Sequence, residues 1–203
     1  MLVFRYKEPP IDNNNYLLID EDSKEAALID CSFYTVFDEI KEVLEKYSAT
    51  LKYILLTHGH FDHIAGIKDG IAEVFMHKND LKILSQANSY LPMFGISEIK
   101  IPKIDKYIDE GDIIKLGNQK IQVLHTPGHT QGGVCYFVDG KLFSGDTIFR
   151  EAVGRCDMEG GDFDQLVINI QTKIFTLPSE TVIYPGHGDN TTVGWEKVHN
   201  RFL

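Results

Sequence analysis

Short apolar runs separated by polar turns fill the first thirty positions, and one clear helical pattern follows them. Residues 2–6, 16–19 and 26–29 are apolar or rich in β-prone side chains, and turn-forming residues separate them, so they predict three strands. From Val36 to Tyr47 apolar residues recur at the spacing of one helix face, while glutamates and lysines occupy the other face. This segment therefore predicts an amphipathic helix.

Farther along the chain, several predicted strands run directly into glycine-containing turns. Apolar runs predict strands at residues 53–56, 73–77, 120–124, 134–138, 142–143 and 181–184. Helical spacing predicts helices at residues 79–86, capped by Asn79 or Asp80, at 163–175 and at 193–202. Residues 87–106 contain Pro92, Gly95 and Pro102 and are predicted to form a long loop, a kind of segment that often has a function.

Composition narrows the classes of protein to which this chain can belong. Its 203 residues, 43% hydrophobic and 25% charged, suffice for a buried core and indicate one domain over residues 1–203. The net charge of -10 opposes binding to nucleic-acid phosphates. The sequence shows no signal peptide and no apolar run of the roughly 18 residues that a membrane span needs. Three cysteines without a CxxC spacing fit a reducing compartment, so we expect a soluble cytoplasmic protein without nucleic-acid or membrane partners.

The strongest chemical signal is the segment HGHFDH at residues 58–63, directly after a predicted strand. In an extended chain, residues two apart point to the same side, so His58 and His60 can share one metal ion. A turn after Phe61 would direct Asp62 and His63 to a second ion beside it. Imidazole nitrogens and carboxylate oxygens suit zinc, iron or manganese. The alternative is a set of ordinary polar loop residues, but this combination arises by chance in roughly one such chain per thousand.

Three further candidates also follow predicted strands: His129 in TPGHT, Asp146 in SGDT and His187 in PGHG. Each of them alone also fits a structural role, such as a turn or a helix cap for the aspartate. Loops at strand ends that meet at one edge of a sheet bring distant side chains together on a rigid base. The four segments together supply five histidines and two aspartates, enough ligands for two metal ions.

The ordered motifs HGHFDH, TPGHT, SGDTIF and YPGH resemble the metallo-β-lactamase superfamily and, within it, the glyoxalase II-like hydrolases. The motifs extend from Thr57 to His187. The resemblance implies an α/β fold, a four-layer αβ/βα sandwich with the site at one edge of two facing sheets. It also implies two divalent metal ions as cofactors, with zinc favoured and iron or manganese as alternatives.

The resemblance also implies a role for each candidate. One ion would be held by His58, His60 and His129, the other by Asp62, His63 and His187, with Asp146 as the bridge. A metal-bridging hydroxide would attack a thioester or related small ester, because metal binding lowers the pKa of water toward ~7. Asp62 and Asp146 are the catalytic candidates, and Asp62 would combine ligation with orienting the hydroxide. The implied partner is a small-molecule substrate, an anionic thioester.

Residues 145–157, with the sequence GDTIFREAVGRCD, also resemble the glyoxalase II-like subgroup. Arg155 either approaches a substrate anion or braces the Asp146 loop by hydrogen bonds, and we favour the brace. Only 16 residues follow His187, whereas glyoxalase II has an additional C-terminal helical region that helps to hold glutathione. The resemblance therefore implies thioester hydrolysis without establishing glutathione as the carrier of the acyl group.

The main alternative is an oxidoreductase similar to the mononuclear-iron persulfide dioxygenases, whose motif order this chain shares. The iron would lie on His58, His129 and Asp146, a triad of two histidines and one carboxylate that leaves positions open for O2. Hydrolysis of β-lactams is less favoured, because common zinc β-lactamases have no aspartate at the bridging position of Asp146. The histidines outside the motifs are expected to be structural: His77, His125 and His199.

Overall fold

The strands of this chain form two large sheets and one small ribbon. A computed structural model describes residues 1–9, 11–33 and 35–203, and within them the two large sheets have six strands each. The first sheet contains, in spatial order, β1 (Leu2–Glu8), β2 (Asn13–Asp20), β3 (Glu25–Ile29), β4 (Thr50–Leu55), β5 (Glu73–His77) and β6 (Lys106–Ile108). The second contains, also in spatial order, β14 (Thr191–Thr192), β13 (Val182–Pro185), β10 (Lys141–Gly145), β9 (Val134–Val138), β8 (Gln119–His125) and β7 (Ile113–Leu116). The ribbon pairs β11 (Ile148–Phe149) with β12 (Ala152–Val153).

Helices lie between and after the strands. They are α1 (Thr35–Tyr47), α2 (Phe61–Ile64), α3 (Leu81–Ser85), α4 (Ala87–Tyr90), α5 (Phe163–Asn169) and α6 (Val193–His199). Short 3-10 turns occupy Lys78–Asp80 and Leu91–Phe94, and a π-helical turn at Ile170–Ile174 extends α5. Across the described residues, none of the helices has both the length and the apolar character needed to cross a membrane.

The two sheets face each other, and helices cover their outer faces. In β2, Tyr16 and Leu18 belong to the core between the sheets, where they join Phe143 of the second sheet. Their neighbours Leu17 and Ile19 belong to a separate core under α1, because successive side chains of a strand point to opposite faces. A third core lies between the second sheet and the α5 and α6 helices. The expected four-layer αβ/βα sandwich is therefore confirmed.

The strands predicted from apolar runs are all present, although their ends shift by a few residues. The hairpin between β9 and β10 turns at Asp139 and Gly140, whose positive φ angles of 50° and 69° suit a tight turn. The strands missed by sequence reasoning are the short ones, β6, β7, β11, β12 and β14. Such strands of two to four residues are too short to show a clear alternation of apolar and polar positions.

Two sequence-based expectations between residues 79 and 106 hold only in part. Asp80 is the N-cap residue of α3, but its side chain makes no capping hydrogen bond, and the ring of His77 accepts the Asn79 N–H. The segment after α3 is not one continuous loop, because α4 and a 3-10 turn occupy its first part. Helical turns of four residues carry no periodic signal, and the Asp80 side chain is used in contacts between distant loops.

The helices predicted near the C-terminus are shorter than the spacing of apolar residues indicated. The segment predicted as one helix over residues 163–175 is α5 followed by the π-helical turn. The last helix ends at His199 rather than at Phe202. These differences do not move the segments that carry the candidate ligands.

Candidate metal centre

The HGHFDH segment changes direction in its middle, as the two-ion hypothesis requires. It follows β4, and His60 is extended with φ -68° and ψ 149°. The α2 helix then begins at Phe61 and turns Asp62 and His63 away from the two preceding histidines. One short segment therefore sends two pairs of side chains to neighbouring positions.

Hydrogen bonds fix the orientation of two imidazole rings. The Thr57 hydroxyl donates to Asp30 Oδ2 at 2.8 Å, so it accepts from His58 Nδ1, which lies 3.1 Å away. His129 Nδ1 donates to the Arg155 backbone oxygen at 2.6 Å. In both rings the proton lies on Nδ1, so Nε2 presents a lone pair to the site.

The three nitrogens of His58, His60 and His129 meet at one point, and we call this group the three-histidine half. Both His58 Nε2 and His129 Nε2 lie 3.0 Å from His60 Nδ1. Nitrogens bound to one tetrahedral zinc at ~2.05 Å lie roughly 3.3 Å apart, so small adjustments of these rings would complete the site. All three residues are buried, which leaves few other partners for their lone pairs.

Beside it, Asp62, His63 and His187 form what we call the carboxylate half. His63 Nδ1 donates to Asp30 Oδ2 at 2.7 Å, which leaves its Nε2 3.7 Å from Asp62 Oδ2. His187 Nε2 lies 3.3 Å from the same Asp62 oxygen. These three groups are close enough to hold one ion.

Asp146 lies between the two halves. Its Oδ1 is 3.5 Å from His63 Nε2, and its Oδ2 is 3.6 Å from both His129 Nε2 and His187 Nε2. A carboxylate in this position reaches ligands of both groups, which is what a bridging residue requires.

Two polar atoms of the site are buried without a hydrogen-bond partner within the described chain. They are His63 Nε2 and Asp146 Oδ1. Because buried polar atoms are nearly always paired, this pair is explained most simply by a cation between them. Imidazole nitrogens with carboxylate oxygens are donors that zinc, iron and manganese accept, so the residues present fit a divalent metal centre.

The charges of the site also favour a cation. Burial, together with the neighbouring His129, lowers the pKa of His60 to about 4. Burial would lower the pKa of His63 too, but Asp30, Asp62 and Asp146 outweigh it and raise that pKa well above the usual value. His60 thus stays neutral, as a metal ligand must, while the carboxylates of the other half attract positive charge.

Sequence reasoning missed Asp30, Thr57 and Asp80. Asp30 receives hydrogen bonds from His63 and Thr57, and Asp80 receives them from loops beside His58 and His129. Asp30 directly follows β3, so it shares the strand-end position by which the other aspartates were found. Asp80 had no comparable signal, because its position suits a helix cap equally well.

The histidines outside the motifs make ordinary structural contacts. His77 and His125 stack with ring centroids 4.0 Å apart and 15° between their planes, while Asp109 lies 3.4 Å from His77 Nε2. Ligand atoms of His77, Asp109 and His125 lie within 4.8 Å of one another, but the Asn79 N–H donates to His77 Nδ1 and His125 Nε2 lies 3.0 Å from the Gln131 backbone oxygen. His199 stacks on Trp195.

A cavity of about 350 Å³ opens onto the site. Among the described residues, its walls are apolar apart from the candidate ligands and Arg155, and they consist of Ile11, Phe61, Phe94, Phe149 and Met158. Arg155 forms a two-point ion pair with Asp157, with both N–O distances 3.0 Å. The expected brace of the Asp146 loop by the Arg155 side chain is not what the structure shows; the Arg155 backbone orients His129 instead.

Histidines and aspartates gathered at one edge of an αβ/βα sandwich, under an open cavity, define a candidate metal-dependent enzyme. The family model of the metallo-β-lactamase superfamily matches residues 9–187. The chain therefore belongs to the metallo-β-lactamase superfamily, a superfamily of metallo-hydrolases, as its motifs indicated.

Two similar proteins cover nearly the whole of this chain. Hydroxyacylglutathione hydrolase GloC of Haemophilus influenzae is 33% identical over 93% of this chain and 92% of its own length. The B3 metallo-β-lactamase BLEG-1 superposes with a TM-score of 0.89 and is 34% identical, covering 100% of this chain and 99% of its own.

Two other solved structures are similar as well. ETHE1 from Myxococcus xanthus has a TM-score of 0.83 and 27% identity, with 99% of this chain and 84% of its own covered. TTHA1623 in a di-iron-bound form has a TM-score of 0.86 and 32% identity, with 99% and 100% covered. These likenesses support a metallo-hydrolase.

Proposed function

We propose that this protein is a hydrolase that binds two divalent metal ions and cleaves a small thioester or related ester. The observation that carries the proposal is the convergence of two adjacent ligand groups, with Asp146 within 3.6 Å of histidines in both. The similarity to hydroxyacylglutathione hydrolase GloC over 93% of the chain supports thioesters as the substrate class.

The ligand assignment in this proposal follows the two halves. The three-histidine half would hold one ion, the carboxylate half the other, and Asp146 would bridge them. Zinc is our first choice, while the di-iron form of TTHA1623 supports iron as an alternative. Bound ions would supply Lewis acidity, which polarises a carbonyl and brings the pKa of water toward ~7.

The protein residues would position the reactants around these ions. Asp62 and Asp146 both line the cavity, and Asp62 would orient the attacking water through a carboxylate oxygen. Burial raises the pKa of Asp146, but His63 and its other histidine neighbours outweigh burial and hold it well below the usual value. An ionised Asp146 is thereby available as a ligand at neutral pH. The apolar cavity wall would exclude bulk water and receive the acyl or leaving group.

Metal content and three assays separate this proposal from its alternatives. Protein purified without added metal should contain two ions per chain and release free thiol from S-lactoylglutathione or another thioester. A single iron per chain, with oxygen uptake on glutathione persulfide, would instead establish the dioxygenase, a possibility favoured by the similarity to ETHE1. Turnover of a β-lactam with no turnover of thioesters would favour the activity named for BLEG-1.

The bridging role predicts the result of one substitution. Asp146→Ala should lose metal and reduce thioester hydrolysis by roughly 100-fold or more, because both ions lose a shared ligand. Asp69→Ala is the control, since Asp69 is an exposed carboxylate paired with Lys100 away from the site. Full activity of Asp146→Ala with two bound ions would show that the bridge assignment is wrong.

A further inference from the structure

Asp80 joins the two loops that carry the three-histidine half, although it is not itself a ligand candidate. Its side chain is completely buried, in the 3-10 turn after β5. Asp80 Oδ2 accepts the Gly59 N–H at 2.9 Å and the Thr130 hydroxyl at 2.8 Å, and Oδ1 accepts the Gly132 N–H at 2.5 Å. One carboxylate thus holds three donors from two segments.

The positions of these donors connect Asp80 to the ligands. Gly59 stands between His58 and His60, in the loop after β4 of the first sheet. Thr130 directly follows His129, in the loop after β8 of the second sheet. Asp80 therefore links the ends of strands from opposite sheets at the point where the three imidazoles meet.

Two glycines make this approach possible. A Cβ atom added to Gly132 would lie 2.6 Å from Asp80 Oδ1. A Cβ atom added to Gly59 would lie 3.0 Å from the Asp80 backbone oxygen and 3.3 Å from its Cβ. The glycine within HGH and the glycine after the TPGHT motif both leave room for the carboxylate and its turn.

We propose that Asp80 is a positioning residue that sets the distance between His129 and the His58–His60 pair, and so determines metal affinity at the three-histidine half. A carboxylate that accepts three hydrogen bonds in a buried site is held firmly, and outer groups that hold ligands in place tune metal sites. Asp30 is its counterpart at the other half, where it receives hydrogen bonds from His63 and Thr57. The proposal rests on the two-ion assignment of the proposed function.

Asp80→Asn is the first variant, because it keeps the shape of the side chain. The asparagine has one acceptor oxygen, so its NH2 group must face either the Gly132 N–H or the donors of Gly59 and Thr130. Thr130→Val is a milder second variant that removes only one of the three donors and keeps the volume of the side chain. Both are titrated with Zn²⁺ or Co²⁺ after removal of bound metal.

Proteins in which only one of the two ligand halves is intact show which ion the Asp80 substitution affects. In His187→Ala, which weakens the carboxylate half, Asp80→Asn should raise the dissociation constant of the remaining ion roughly 10- to 100-fold, and Thr130→Val should raise it less. In His60→Ala, which weakens the three-histidine half, Asp80→Asn should leave the remaining ion's constant within about 2-fold. The ligand-field absorption of Co²⁺ should change only in the first background.

Glu196→Gln is a matched control. Glu196 is also completely buried and accepts three hydrogen bonds, from Glu151 N, Thr191 Oγ1 and Asn200 Nδ2, at the C-terminal helix α6. The Glu196→Gln substitution should lower the free energy of unfolding, as Asp80→Asn should, but it should leave the metal affinity unchanged. If both variants lose stability but only Asp80→Asn binds metal more weakly, the effect on metal affinity comes from positioning and not from general destabilisation.

The outcomes distinguish this inference from the proposed function. If Asp80→Asn and Thr130→Val each leave the metal affinity of the His187→Ala protein unchanged, the positioning role is overturned and the proposed function is not. Absence of any ion from the three-histidine half in the unsubstituted chain would overturn both proposals. Normal binding of two ions without thioester hydrolysis would overturn the proposed substrate class and leave the role of Asp80 in place.

Discussion

Gly128, the residue before His129, lies in direct contact with a helix and depends on having no side chain. Its φ angle is +143°, and an added Cβ would lie 2.5 Å from the backbone N and Cα of Leu166 in α5. Its carbonyl also accepts the Asp162 N–H, from the residue that caps α5. The direction of the His129 ring is therefore set partly by how closely this loop packs on the helix.

The contact predicts a large effect of Gly128→Ala. The added methyl must displace backbone, so the free energy of unfolding should fall by about 2–4 kcal/mol, and metal should bind more weakly as His129 moves. Gly140→Ala is the control, because Gly140 also has a positive φ of +69° but nothing lies within 4 Å of its added Cβ. Gly140→Ala should lower the free energy of unfolding by about 1 kcal/mol. If urea unfolding shows equal losses of stability for the two variants, the contact of Gly128 with α5 does not explain the effect.

At the scale of elements, the helical segment after α3 forms one wall of the cavity. Leu91 at the start of the second 3-10 turn is buried in the core, whereas Phe94 at its end is half exposed. The Phe94 ring packs against Phe61 with centroids 5.2 Å apart, and both rings line the cavity. This segment is therefore anchored at one end and available to contact a substrate at the other.

Phe94→Ala should alter substrate binding more than stability or metal content. Loss of an apolar wall should raise KM for thioesters with bulky apolar acyl groups by about 10-fold, with a smaller change for acetyl thioesters. Phe202→Ala is the comparison, because Phe202 has nearly the same exposure, 52% against 50%, but does not line this cavity. An identical KM for bulky and small acyl groups in Phe94→Ala would show that the wall does not contact the substrate.

At the scale of the whole molecule, the candidate centre ties the two sheets together. The His58–His63 segment follows a strand of the first sheet, and the other ligand candidates follow strands of the second. An ion bound between them would bind the folded chain more tightly than the unfolded chain, so its binding would add to the stability of the whole sandwich.

Metal removal should therefore lower the thermal midpoint of the entire fold. Free metal at 100 times its dissociation constant adds about 2.7 kcal/mol, which corresponds to roughly 5–11 °C for a chain of this size. The measurement is calorimetry with and without a chelator, using Asp146→Ala as the control that should respond little. A chelator effect of the same size in both proteins would mean that the stabilising ions bind elsewhere.

The sequence alone was sufficient for the main strands and for the seven ligand candidates. The HGHFDH segment and the strand-end residues His129, Asp146 and His187 could be found because each signal is local, a short apolar run followed by a polar turn. Their resemblance to a known superfamily also implied the layer order that the structure has. Their metal-binding and catalytic roles remain predictions.

Only the tertiary structure decided how those ligands are held. Asp30 and Asp80 act through hydrogen bonds to residues 21 to 52 positions away along the chain, and nothing local marks which distant donors a buried carboxylate will meet. The same holds for Arg155, whose backbone oxygen rather than its charge orients His129. Short-range patterns record the propensity of a segment, whereas the partners of a buried polar group depend on which strand ends the sheets bring together.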